Sequence, residues 1–196
     1  MTQDTKTALL DAAETALRRH GYDGFSYADL AQAVGIRKAS IHYHFPKKTQ
    51  LAADVMTRYQ QKVLSFCQKI GAASPTGAAK LLSFVEFYRE ATAGGQQLCL
   101  CVALSGTPDS LTAHVTKATN TFRSAMLVWL ETAFEEAARD CTVSGTGAAA
   151  EEAAALLALL EGAQLAARAS QDVAAFDLAL AQFKARCVDT ASPPGG

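Results

Sequence analysis

No stretch of about 18 consecutive apolar residues occurs in this 196-residue chain, so a membrane-spanning helix is not expected. Apolar–polar alternation of useful length is also missing, which argues against half-buried strands. No CxxC pair stands with a histidine cluster, so a structural zinc site is not expected. A Gly-x-Ser-x-Gly elbow and a phosphate-binding glycine loop are both absent. Ser105 stands in no such elbow, and His114 is alone, the other three histidines lying within the first 44 residues. An enzyme is therefore not expected, nor any cofactor or metal. The five cysteines, Cys67, Cys99, Cys101, Cys141 and Cys187, are an odd count and argue against a disulfide framework. The first residues, with Asp4, Lys6 and Asp11, lack the charged-then-apolar order of a secretion signal, so a cytoplasmic location and no membrane partner are expected.

What is present is enough for a core: 49% of the residues are hydrophobic. The length suits one large domain or two small ones. The net charge of −1 conceals an asymmetry. Residues 1–62 carry nine Lys and Arg against six Asp and Glu, a net of +3, whereas residues 63–196 carry nine against thirteen, a net of −4. A basic head on an acidic body suits DNA contact through one end only.

Residues 25–51 are the most informative stretch. Ser26 is a good helix N-cap, and Asp29 three residues on can reach back in a capping box. Leu30, Ala31 and Val34 then share a face, and Gly35 supplies a residue tolerant of positive φ where the helix stops. Arg37 and Lys38 open a second short helix running to about His44. Ala39, Ile41 and Phe45 are expected to face inward, leaving Arg37, Lys38, Ser40, His42, Tyr43 and His44 outside. Pro46 ends this helix and suits the first turn of the next, which Lys47 and Lys48 begin. The pattern is a helix-turn-helix whose second helix enters a major groove, N-terminal residues nearest the bases. Arg37 and Lys38 are the candidates for base edges. Ser40, His42, Tyr43, His44 and Lys48 suit phosphate contacts, with Ser26 and Tyr27 completing the candidate DNA-binding set. The partner expected is double-stranded operator DNA.

The rest of the chain reads as helices: to about Ile70, from about Gly77 to Ala93, from Gln97 to Leu104, from Thr107 (N-cap, with Pro108 in the first turn) to about Asp140, then about 148–169 and 172–188. The last two are more apolar than one covered face requires, so a second subunit is expected to cover them. The candidate dimer interface is Leu156, Leu159, Leu160, Gly162, Ala163, Ala166, Phe176, Leu180 and Phe183. A two-fold homodimer would present two recognition helices to a near-palindromic site. The expected fold class is all-α, with a helix-turn-helix head at 1–50, a helical ligand-binding and dimerisation domain at 51–190 that begins with a connecting helix, and a flexible tail at 191–196.

The stretch from Thr5 to Lys62 resembles the N-terminal domain of TetR-family transcriptional repressors. The resemblance is carried by Ala8-Leu9-Leu10-Asp11-Ala12-Ala13, Gly21-Tyr22, Ala33-Val34-Gly35-Ile36, and Ala39-Ser40-Ile41-His42-Tyr43-His44-Phe45 followed by Lys48 and Leu51. Phe25 stands where the family usually has Thr, and His42 replaces the usual phosphate-binding Tyr, with Tyr43 beside it. A histidine there can tie phosphate binding to pH.

The resemblance implies a dimeric repressor with a ligand pocket in its C-terminal helices, occupation of which shifts the population between DNA-binding and released states. Phe84, Phe87, Tyr88, Cys99, Leu104, Phe122, Met126 and Trp129 are the candidate lining. Cys99-Leu100-Cys101 resembles the cysteine-bearing short helix of a subgroup that includes electrophile-sensing repressors. Leu98 replaces that motif's glycine and a second cysteine is added; the apolar setting lowers thiol reactivity. On a helix the two cysteines would point roughly 200° apart and would not meet without unwinding. The expected function is thus a transcriptional repressor released by a small-molecule or electrophilic inducer. A cysteine-independent sensor or an activator of the same fold, and a helical interaction module without DNA binding, are the alternatives.

Overall fold

The computed structural model describes residues 2–106 and 111–187. Among these residues there are nine helices and no strand, so the chain is all-α. They are α1 (Thr2–His20), α2 (Tyr27–Val34), α3 (Lys38–His44), α4 (Lys48–Ala73), α5 (Gly77–Glu90), α6 (Leu100–Ser105), α7 (Ala113–Arg139), α8 (Ala149–Ser170) and α9 (Ala174–Arg186). They form two compact units. One gathers the chain up to Val63 with Gln97–Arg123; the other gathers Leu64–Gln96 with the chain from Ser124 onward. Helices α4 and α7 each contribute to both.

In the first unit, Leu9, Ala13 and Leu17 make a buried stripe along α1 at four-residue spacing. It shares a core with Leu30, Ile41, Phe45 and, from α4, Leu51, Val55, Met56 and Tyr59. Arg58 of α4 pairs with Asp11 at 2.8 Å and Glu14 at 3.1 Å on α1. The end of α1 is tied to the segment before α6: Leu98 donates its N–H to the Arg18 carbonyl (3.1 Å), and Arg18 Nε donates to the Leu98 carbonyl (2.9 Å).

The second unit packs α5 against α8 and α9. Leu81, Phe84, Val85 and Tyr88 of α5 are buried, as are Leu156, Leu160, Ala163 and Ala167 of α8 and Phe176, Leu180 and Phe183 of α9. Buried Gln164 donates to the Tyr88 carbonyl at 2.9 Å, and Arg89 grips Asp177 with two bonds of 2.7 and 2.8 Å. The loop before α8 is held by Arg186, which donates to both Glu152 oxygens and to the carbonyls of Ser144 and Gly145.

Several element ends differ from expectation. Helix α4 begins at Lys48, with the Lys47 carbonyl accepting from Gln50 and Leu51, so Pro46 lies outside its first turn. It continues through Gly71 to Ala73, past the expected end near Ile70; α5 starts at Gly77 as expected, with Thr76 as its N-cap, the hydroxyl accepting from the Ala79 N–H at 3.2 Å. Helix α5 stops at Glu90, where Ala93, Gly94 and Gly95 all take positive φ. The short apolar helix starts at Leu100 rather than Gln97, and α7 starts at Ala113. Thr107, Pro108 and the 191–196 tail lie outside the described residues.

Candidate nucleic-acid interface

The turn is built by its local sequence. The Ser26 hydroxyl accepts from the N–H groups of Ala28 (3.2 Å) and Asp29 (3.4 Å), and the Asp29 carboxylate accepts from the Ser26 N–H (2.7 Å) and hydroxyl (2.8 Å). Those bonds from Ser26 hold the Asp29 carboxyl below the usual carboxylate range. At the other end of α2, Gly35 sits at φ 73° and both Gly35 and Ile36 donate to the Ala31 carbonyl. Arg37 caps α3 in extended conformation, its carbonyl accepting from Ser40.

Helix α3 is pinned by Ile41 and Phe45, both fully buried. Ala39, expected to face inward, is exposed instead: on a seven-residue helix anchored by Ile41 the position two residues earlier is turned away. Arg37, Lys38, His42 and Tyr43 are exposed, and Ser40 and His44 are half-buried. Tyr43, at 79% exposure, is among the most exposed large apolar-faced residues of the chain, its ring meeting His44 edge-on at 5.2 Å. All six residues expected to face outward are thus exposed or half-buried, and four of them, Arg37, Ser40, Tyr43 and His44, line one groove.

Tyr27 and Lys48 are placed differently. Tyr27 is buried, its hydroxyl donating to the Phe45 carbonyl at 2.9 Å and its ring meeting His42 edge-on at 4.9 Å. Burial pushes its phenol up to about 12, so it remains a donor. The Lys48 ammonium donates to the Phe25 carbonyl and lies over the rings of Phe25 (4.1 Å) and Tyr22 (4.8 Å). Burial lowers its pKa from the usual lysine value. Both side chains thus brace the ends of the motif from within.

Two residues escaped the sequence reading. Thr5 lines one groove with Ile36, Arg37, Ala39, Ser40, Tyr43 and His44, and the Lys6 ammonium lies 5.7 Å from the Phe45 ring. A cation in the first turns of the helix preceding the motif was the available signal.

The candidate pocket residues divide between the two units. Phe84 gathers Phe87 (6.4 Å), Tyr88 (4.9 Å) and Trp129 (5.0 Å) in the second, where Met126 is also buried. Phe66, not foreseen, stacks on Phe87 at 4.3 Å. In the first unit, Tyr59 joins the remaining candidates: its hydroxyl donates to Cys99 Sγ at 3.3 Å and its ring lies 5.6 Å from that of Phe122. Leu104 is fully buried there. The expected divergence of Cys99 and Cys101 does not hold. Cys99 precedes α6 with φ −54° and ψ 143°, an extended conformation, and the two sulfurs approach to 3.2 Å.

Of the candidate interface residues, Leu156, Leu160, Ala163, Phe176, Leu180 and Phe183 are already buried within the single chain. Leu159, Gly162 and Ala166 form an exposed stripe on the opposite face of α8, and Leu165 and Leu178 are exposed at 50% and 79%. Among the described residues no helix is long and apolar enough to cross a membrane, and no three His, Cys, Asp or Glu group as a metal site.

Comparison with known proteins agrees with this geometry. Residues 9–55 match the family described as bacterial regulatory proteins, tetR family. Over 46 residues the chain is 41% identical to the biofilm operon icaADBC HTH-type negative transcriptional regulator IcaR of Staphylococcus aureus; the match covers 24% of this chain and 25% of that protein. The chain thus spans about a quarter of the length of the curated relatives it matches. A TetR-family transcriptional regulator from Agrobacterium tumefaciens superposes with a TM-score of 0.90 at 28% identity, covering 96% of this chain and all of that one. The reduced form of Escherichia coli NemR shares the fold, with a TM-score of 0.79 at 20% identity over 96% of this chain and 100% of NemR. The capped α2, the Gly35 turn and the anchored α3 thus lie in the stretch that matches the family of bacterial regulatory proteins called tetR, and the chain as a whole shares the fold of a TetR-family regulator.

Proposed function

We propose that this chain is a sequence-specific DNA-binding transcriptional regulator, acting as a dimeric repressor that a small-molecule or electrophilic inducer releases from a near-palindromic operator. The observation that carries the reading is α3: Ile41 and Phe45 are fully buried while Arg37, Lys38, His42 and Tyr43 stand exposed. Arg37 and Lys38 reach base edges, and Ser26, Ser40, His42, Tyr43 and His44 hold phosphates. Tyr27 and Lys48 act by fixing α3 and the start of α4. Negative regulation is supported by the IcaR match, whose name states it. Dimerisation is supported by the exposed Leu159, Gly162 and Ala166 stripe with Leu165 and Leu178. The aromatic group around Phe84 is the candidate inducer wall, and Cys99 the candidate electrophile target. Selection of bound duplexes from random DNA tests the reading. A two-fold symmetric consensus, bound with steep salt dependence, is expected; recovery of no consensus would remove it.

A further inference from the structure

Cys99 and Cys101 lie outside the helix-turn-helix and bring two thiols together inside the first unit. Cys99 is 1% exposed and Cys101 is fully buried, and their sulfurs lie 3.2 Å apart. The approach depends on the backbone: extended conformation at Cys99, one residue before α6, turns its side chain toward that of Cys101. The Tyr59 hydroxyl donates to Cys99 Sγ, and burial holds that phenol well above its usual pKa, so it stays protonated. Leu100, Leu104 and Phe122 are buried in the same unit.

We infer that Cys99 and Cys101 together form a chelating dithiol for trivalent organoarsenicals. The spacing discriminates among thiophilic ligands. A linear two-coordinate ion such as mercuric or cuprous ion holds its two sulfurs far apart on opposite sides, well beyond 3.2 Å. Inorganic arsenite calls for a third sulfur, and among the described residues no third His, Cys, Asp or Glu groups with the pair. A pyramidal arsenic that already carries one carbon substituent needs just two sulfurs, close together, as these two are. The reaction is a condensation. An organoarsenous acid, R–As(OH)2, loses both hydroxyls as two As–S bonds form, each hydroxyl leaving as water with one thiol proton. Arsenic remains trivalent and no oxidant is consumed.

Phenylarsine oxide added to the full chain tests this by intact mass. A variant carrying Cys67→Ala, Cys141→Ala and Cys187→Ala should take up one phenylarsenic unit with loss of two hydrogens. Excess glutathione should leave the adduct in place and 2,3-dimercaptopropanol should remove it. In an otherwise wild-type chain, Cys99→Ala or Cys101→Ala should each weaken uptake by about 10²–10⁴-fold, the loss expected when two-point attachment becomes one-point. Peptide mapping of the triple variant supplies a readout that needs no mutation in the pair: the adduct should lie on the peptide that contains both cysteines. Wild-type affinity in either single variant that folds, removal by glutathione, loss of uptake in the triple variant, or formation of a Cys99–Cys101 disulfide in place of the adduct would each overturn the proposal. Because mass is the readout, the result stands apart from whether the operator reading succeeds.

Discussion

Arg37 and Tyr43 stand exposed at opposite ends of α3, and their different chemistry gives them different failures. A guanidinium can bind one base edge with two parallel bonds, whereas a phenol at the C-terminal end of the helix suits a phosphate that every sequence carries. Arg37→Ala should therefore cost ~1–3 kcal/mol of operator affinity and relax preference at one base position. Tyr43→Ala should weaken all operator variants alike and leave the preferred sequence unchanged. Fluorescence anisotropy against a panel of single-base operator variants separates the two; uniform loss for Arg37→Ala would make it a phosphate contact. At this scale, legibility followed distance along the chain. The Ser26–Asp29 box was readable because both partners lie within three residues. The inward turn of Tyr27 and Lys48 was not, since their partners, the carbonyls of Phe45 and Phe25, are 18 and 23 residues away.

Helix α5 shows how an element's boundary is decided by a neighbour the sequence places far off. Its first two N–H groups donate not within the helix but to Asp140 Oδ2 (Gly77, 2.8 Å) and Thr142 Oγ1 (Ala78, 3.0 Å), beyond the end of α7. A Cβ on Gly77 would lie 2.2 Å from the Ala137 backbone nitrogen, and backbone cannot swing aside. Gly77→Ala should destabilise the protein by ~1–3 kcal/mol in urea unfolding, the usual range for overpacking, although alanine favours helix; a stabilised variant would mean that α5 and α7 part easily. Asp140 adds a pH dependence. Burial raises its pKa, but bonds from the Thr142 hydroxyl and the Gly77 and Thr142 N–H groups outweigh this and leave it lowered. A carboxyl lowered in the fold stabilises above the unfolded value of about 3.9 and loses that contribution as pH falls through the folded value. Asp140→Asn should thus be less stable than wild type at pH 7, with the gap narrowing toward pH 3; a gap constant with pH would remove the carboxylate from the account. The same distant partners explain which ends were misread. Helix centres followed from apolar spacing, as with Leu9, Ala13 and Leu17. The stop at Glu90 and the start of α6 depended on positive φ at Ala93 and on extended backbone at Cys99, neither of which a periodic pattern encodes.

For the whole molecule, the issue is how one short helix could suffice to select an operator. Seven residues of α3 offer few contacts, and a head with net charge +3 on a body of −4 has little general attraction for DNA. The proposed dimer would remove the difficulty: once one head is bound, a tethered second head would meet its half-site at high effective concentration, raising affinity by about 10²–10⁴. The tether would be the exposed stripe of α8. Its opposite face, Leu156, Leu160 and Ala163, is already spent on the protomer's own core, so substitution of the stripe spares the fold. Leu159→Glu combined with Ala166→Glu should give a folded monomer by sedimentation, with helical content and urea midpoint near wild type. Because the phosphate contacts per bound molecule are halved, the slope of log affinity against log salt should also fall by about half. Weaker binding with an unchanged slope would mean that the substitutions damaged each head rather than separated the pair. A monomer with full affinity would mean that one head suffices, and that the apolar stripe serves some other contact.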